Sequence, residues 1–150
     1  MTTDISNLRA YQSSALASAY AQHAELQPPE ETILKIVQHE LKPERMLDVG
    51  VGGERTANKF ADMVQEYIGI DYSEAMVAVC HERFAARLDT LQFRLADVSS
   101  MPFFPDGRFD LVLFSYNGLD YLSSDSQRKA LLEIHRVLRD GGYFAFLPTI

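Results

Sequence analysis

The sequence predicts an α/β fold, with a mainly parallel sheet as the middle layer and helices on both of its faces. Three observations carry that expectation. Short apolar stretches of strand length alternate with longer stretches of helical period. One of the former, Phe109-Asp110-Leu111-Val112-Leu113-Phe114-Ser115, is apolar almost throughout, as suits a parallel strand covered on both faces. A third stretch, Met46-Leu47-Asp48-Val49-Gly50-Val51-Gly52-Gly53-Glu54-Arg55-Thr56, joins a buried strand to a helix through a glycine turn.

Taken in order, Ile5 to Leu26 is rich in Ala and Ser, with Tyr11 and Tyr20, and reads as one or two helices over the edge of the domain. Residues 1–28 are accordingly expected to form a helical arm, and 29–150 the domain proper. Pro28-Pro29-Glu30-Glu31 opens the next helix, because proline suits a first helical turn and acids suit the positive end of the dipole. Ile33, Leu34, Val37 and Leu41 are its buried stripe, and Pro43 ends it. The strand Arg45 to Val49 follows, then the glycine turn and a helix with Ala57, Phe60, Ala61 and Val64 inward.

Glu66 to Ile70 is a second strand ending on Asp71. Ser73 caps a helix that turns Met76 or Val77, Cys80, Phe84 and Leu88 to one face. Leu91, Phe93 and Leu95 alternate as a third strand, ending at Ala96-Asp97, and Pro102, Pro105 and Asp106-Gly107 mark a loop. After the fourth strand, Ser123-Ser124-Asp125 caps a helix with Ala130, Leu131, Ile134, Val137 and Leu138 inward. Arg139 is expected near its negative end and Gly141-Gly142 as its stop, with Tyr143 to Leu147 as the fifth strand.

The totals narrow the function. At 150 residues the chain makes one domain with a real core. No stretch approaches a membrane span, and the start has neither the basic residues nor the apolar run of a signal peptide. One cysteine excludes an internal disulfide and fits a reducing compartment, so the expected location is cytoplasmic. A net charge of −7 gives no electrostatic reason to approach nucleic acid. The four histidines are dispersed, without metal-ligand spacing, and no metal is expected. Cys80 reads as core, and Phe103-Phe104 as a core plug or an aromatic box for substrate.

Chemistry-bearing residues fall at the carboxyl ends of successive strands: Gly50 and Gly52, then Asp71, then Asp97. An acid about 20 residues after a glycine turn suits a bidentate hydrogen bond to ribose hydroxyls, although Asp71 would equally serve as a helix cap. Asp97 suits an exocyclic amino group such as that of adenine, or simply a turn before Val98-Ser99. A nicotinamide dinucleotide would call for a third glycine at position 55, where the chain has arginine, and no Gly-Lys-Ser/Thr follows the strand to make a P-loop.

From Pro29 to Leu147 the chain resembles the class I S-adenosylmethionine-dependent methyltransferases. The pieces are Leu47-Asp48-Val49-Gly50-Val51-Gly52-Gly53, Gly69-Ile70-Asp71-Tyr72-Ser73-Glu74-Ala75-Met76, Ala96-Asp97-Val98, Phe109-Asp110-Leu111-Val112 and the run from Glu133 to Gly142. The resemblance implies a three-layer Rossmann-like methyltransferase fold with S-adenosyl-L-methionine as cofactor. It implies that Gly50 and Gly52 meet the methionine part, with Asp48 supporting the turn. Asp71 would hold the ribose hydroxyls, Tyr72 and Met76 flank the adenine, and Asp97 with the backbone of Val98 read its edge. Ser115, Tyr116 and Asn117 would lie near the sulfonium and the acceptor, and Tyr20 or Arg55 would meet the cofactor carboxylate.

Two departures stand out. Glu54 occupies a position that is usually small in the family, where it would crowd the methionine end, pair with its amino group or turn to solvent. The family's sheet also continues past the fifth strand, so the chain is expected to be truncated there, leaving that strand as an edge that pairs with a second copy. Three functions remain open. The first is a methyltransferase acting on an unidentified acceptor, a small molecule foremost. The second is a non-catalytic cofactor-binding or association module, and the third a nucleotide enzyme of the dinucleotide type.

Overall fold

The computed structural model describes residues 25–52, 55–115 and 118–148. The arm expected over residues 5–26 therefore lies outside the described residues except at its end, as do Tyr20, Glu54, Tyr116 and Asn117. The strands among the described residues are β1 (Arg45–Val49), β2 (Glu66–Asp71), β3 (Leu91–Leu95), β4 (Phe109–Ser115) and β5 (Leu138–Leu147). They form one sheet in the order β3-β2-β1-β4-β5, and every pairing is parallel. The order reverses at β1, which has β2 on one side and β4 on the other.

Side-chain alternation along the central strands divides the core in two. Met46, Tyr67, Leu111 and Leu113 point to one face, where they meet Val37, Phe60, Val77 and Cys80 from α1 (Pro28–Ile36, widening into a turn Val37–Leu41), α2 (Ala57–Phe60) and α3 (Glu74–Arg83). Leu47, Val49, Ile68, Ile70, Val112 and Phe114 point to the other, against Ala130, Ile134 and Val137 of α4 (Ser124–Val137) and the loop residues Val98, Met101 and Phe104. The period of two along each strand is what lets one short segment feed both layers.

Ser73 and Ser123 cap α3 and α4 as expected, their hydroxyls accepting from the N–H groups of Met76 at 3.3 Å and Ser126 at 3.2 Å. Four details differ from the sequence reading. The helix after the glycine turn is four residues of α2 plus a tighter turn, Ala61–Met63, and Val64 is already extended. The Glu44 carbonyl captures the N–H groups of Gln65 and Glu66 at 3.0 and 2.9 Å and draws the chain into β2. Leu88 is 41% exposed, because the helix unwinds at Phe84, and Leu95, ending an edge strand, is 46% exposed. Leu131 is likewise exposed on the outer side of α4.

The fourth difference concerns the helix stop. α4 ends at Val137 rather than at the glycine pair, and Leu138 already pairs with Phe109. The next matched pair is Leu111 with Tyr143, so Arg139 to Gly142 bulge out opposite Asp110. Gly141, at φ +77°, makes that excursion possible. Arg139 lies beyond the helix, donating from Nε to Asp110 at 2.7 Å.

Candidate functional site

At the carboxyl ends of β1, β2 and β4, next to the point where strand order reverses, the chain leaves a crevice, the place where open α/β sheets take ligands. Its floor is the glycine turn. Gly50 and Gly52 have φ of +72° and +61°, and the N–H of Gly50 donates to the Ile70 carbonyl at 2.8 Å, locking the turn to β2. Apolar walls come from Val49, Ile70, Val98, Phe114 and Leu122. A Cβ at Gly118 would fall 1.5 Å from the Phe114 ring, so the chain there must be glycine for the ring to keep its place.

Two acids face the same crevice. Asp71 is almost wholly buried, and its oxygens accept from the N–H groups of Ser73 at 2.9 Å and Gly52 at 3.4 Å. Burial pushes its carboxyl up to about 6, against the downward pull of the Ser73, Gly52 and Tyr72 backbone groups. Such a carboxylate gains from further donors, and a pair of ligand hydroxyls supplies them. Asp97 takes the backbone N–H and the hydroxyl of Ser99 on Oδ1, at 2.8 and 2.7 Å, so it is a turn former and a crevice residue at once. The crevice thus combines apolar walls, two carboxylates and a glycine turn.

A family model described as a methyltransferase domain matches residues 46–142, a span that includes the glycine turn and both crevice acids. The chain belongs to the class I S-adenosylmethionine-dependent methyltransferases. It is 36% identical over 102 residues to the uncharacterized methyltransferase YcgJ of Bacillus subtilis (strain 168), covering 67% of this chain and 38% of that protein. To the demethylmenaquinone methyltransferase of Thermus thermophilus it is 32% identical over 110 residues, 72% of this chain and 48% of that one. The crystal structure of YcgJ matches with a TM-score of 0.67 at 31% identity, over 78% of this chain and 48% of its own. The chain thus spans about half the length, or less, of the curated relatives it matches. No helix among the described residues is long and apolar enough to cross a membrane.

Not every residue that the methyltransferase resemblance singled out reaches the crevice. Gly50, Gly52, Asp71, Tyr72, Asp97 and Val98 line it together. Asp48, Met76 and Ser115 are not among the residues that line it. Met76 has no exposed surface, which corrects its expected place beside an adenine. Asp48 is buried behind the turn, where Oδ2 accepts from the hydroxyls of Thr56 and Tyr67 while Oδ1 has no partner. Ser115 alternates with Phe114, points to the opposite face of β4, and donates to Glu30 Oε2 at 2.6 Å.

Glu30 is the residue that sequence reading missed. Expected as an acid at the positive end of the helix dipole, it has no exposed surface and pairs with the Arg55 guanidinium at 3.0 Å. Arg55, expected to meet the cofactor carboxylate, is engaged with Glu30 through Nε and does not line the crevice. The signal was present in the spacing. Glu30 stands three, four, seven and eleven residues before Ile33, Leu34, Val37 and Leu41, on the buried stripe itself.

Proposed function

We propose that the chain forms the cosubstrate-binding part of an enzyme that moves a methyl group from S-adenosylmethionine to a small-molecule acceptor. The observation that carries this reading is that Asp71 and Asp97, 26 residues apart, open onto one apolar crevice above the glycine turn. In this reading Asp71 accepts from both ribose hydroxyls, and Asp97 with the backbone of Val98 takes the amino edge of the adenine. Tyr72 packs on the base, without Met76, and the backbone at Gly50 and Gly52 meets the methionine portion. Asp48 holds the turn from behind through Thr56 and Tyr67.

S-adenosylmethionine, when bound, supplies an electrophilic methyl carbon on a good leaving group. The chain's own task is then to orient the acceptor and exclude water. Tyr116 and Asn117, by their sequence position just after β4, are assigned to the acceptor side, while Ser115 is engaged with Glu30 behind the crevice wall. No general base is assigned, since a base serves only where the acceptor must lose a proton. The division into a helical arm (1–28) and a binding domain (29–150), a cytoplasmic setting, the absence of nucleic acid and membrane partners, and self-association through β5 belong to the same reading.

Calorimetry on the chain tests the proposal. S-adenosylmethionine and its demethylated product are expected to bind and NAD is not. Asp71→Ala is expected to weaken both by about 2–4 kcal/mol, the loss of one or two charge-assisted hydrogen bonds. Unchanged affinity in that variant would overturn the ribose assignment.

A further inference from the structure

Behind the crevice wall lies a second group of buried charges. The Glu30 carboxylate accepts from the Gln27 N–H at 2.9 Å and from Ser115 Oγ at 2.6 Å, besides pairing with Arg55. Both side-chain partners stand next to the crevice along the chain. Arg55 follows Gly52 by three residues, and Ser115 follows Phe114, whose ring is part of the wall. Asp48, also without exposed surface, completes the group. Its carboxyl is pushed up by burial foremost and also by Glu30, and pulled down by the Thr56 and Tyr67 hydroxyls and by Arg55.

The balance of charge in this group is uneven. The Arg55 side chain keeps 17% of its surface exposed, so water screens its charge, whereas Glu30 has none exposed. The fully buried carboxylate of Glu30 therefore stands against a partly solvated cation, and low-dielectric surroundings let a buried charge reach further than an exposed one.

The geometry points to Glu30 as a specificity-determining residue, whose buried carboxylate biases the crevice toward a cationic ligand: the sulfonium cosubstrate over the neutral thioether left after methyl transfer. This rests on the reading of the crevice as an S-adenosylmethionine site. The two ligands share their adenosine and their amino-acid end, and they differ by one methyl group and one positive charge on sulfur. A variant that merely loosens the fold weakens both alike, while one that removes a nearby charge changes their ratio.

The test is calorimetric titration of the full chain with each ligand, read as the ratio of the two affinities. Glu30→Gln is expected to shift that ratio toward the thioether by about fourfold, the order of effect of losing one partly screened unit charge nearby. Glu30→Asp restores the charge and is expected to restore the ratio. Arg55→Gln shifts it the opposite way, and decides the matter if Glu30→Gln does not fold. Asp71→Ala, run alongside, weakens both ligands equally. If Asp71→Ala weakens neither, the cosubstrate reading fails and this inference with it. If it weakens both while the charge variants leave the ratio at the wild-type value, the specificity role of Glu30 alone is overturned.

Discussion

Asp48 shows how one residue ties the site to the stability of the fold. Burial lifts its carboxyl from an ordinary 3.8 to about 7, although the Thr56 and Tyr67 hydroxyls pull it down. Between those two values the folded chain holds a proton that the unfolded chain has released. Stability therefore falls as pH rises through that window, and the penalty is complete above about 7. Asp71, raised to about 6 by burial, adds to the same trend over a narrower range. Asp48→Asn removes the larger contribution, since an amide oxygen still accepts from both hydroxyls. The variant brings its own unpartnered amide, so the quantity to read is the pH slope. Denaturant melts at pH 5 and pH 8 are expected to move in the variant's favour at the higher pH, by at most about 3 kcal/mol. Parallel curves for variant and wild type would show that Asp48 does not titrate there.

Among the elements, β4 is fixed at its amino end by Asp110, at the opposite end of the strand from Ser115. The Asp110 carboxylate accepts from the N–H groups of Glu44 and Arg45 at 3.0 and 2.8 Å, from Arg45 Nη2 at 3.1 Å and from Arg139 Nε at 2.7 Å. It joins β1, β4 and the bulge of β5 at one point. Desolvation pushes this carboxyl up, but the Arg45 side chain and backbone, then Arg139 and Glu44, outweigh it and hold it below the ordinary value. The stability it contributes is present above that value and is lost as pH falls through the lowered one. Asp110→Ala is expected to cost about 3 kcal/mol at neutral pH, by leaving donors and a guanidinium without their acceptor. The difference should shrink on strong acidification. Calorimetry should find ligand affinity unchanged, since the clamp is far from the crevice.

The same elements show what was legible in the sequence. The central strands were, because burial on both faces leaves a near-continuous apolar run, and so was the glycine turn, because positive φ at Gly50 and Gly52 demands that residue type. Element ends set by distant partners were not. The Glu44 carbonyl shortens α2, and pairing with Phe109 starts β5 at Leu138, neither of which local propensity encodes. In the site, the strand-end acids Asp71 and Asp97 open onto the crevice, whereas Ser115 turns away to Glu30 across 85 positions, a pairing at which only the helical stripe hinted.

At the scale of the whole molecule, the sheet among the described residues has two edges, β3 and β5, which differ in kind. β3 has five residues, of which Gln92, Arg94 and Leu95 are exposed, whereas β5 runs for ten and ends in the apolar segment Tyr143 to Leu147. Among the described residues β5 pairs with β4 alone, and Tyr143 and Phe146 are 49% and 37% exposed. Long apolar edges with unpaired backbone groups recruit further strands unless a charge or a bulge intervenes. In β5 the charges and the bulge, Arg139 to Gly142, protect only the first half. Sedimentation velocity from micromolar to hundreds of micromolar chain is accordingly expected to show reversible self-association. Tyr143→Lys places a charge at the start of the unprotected half and should shift the chain to monomer with its melting temperature little changed. A wild-type chain that stays monomeric across that range would mean that the β5 edge is shielded, and the association proposal would fall while the crevice and its two acids stood untouched.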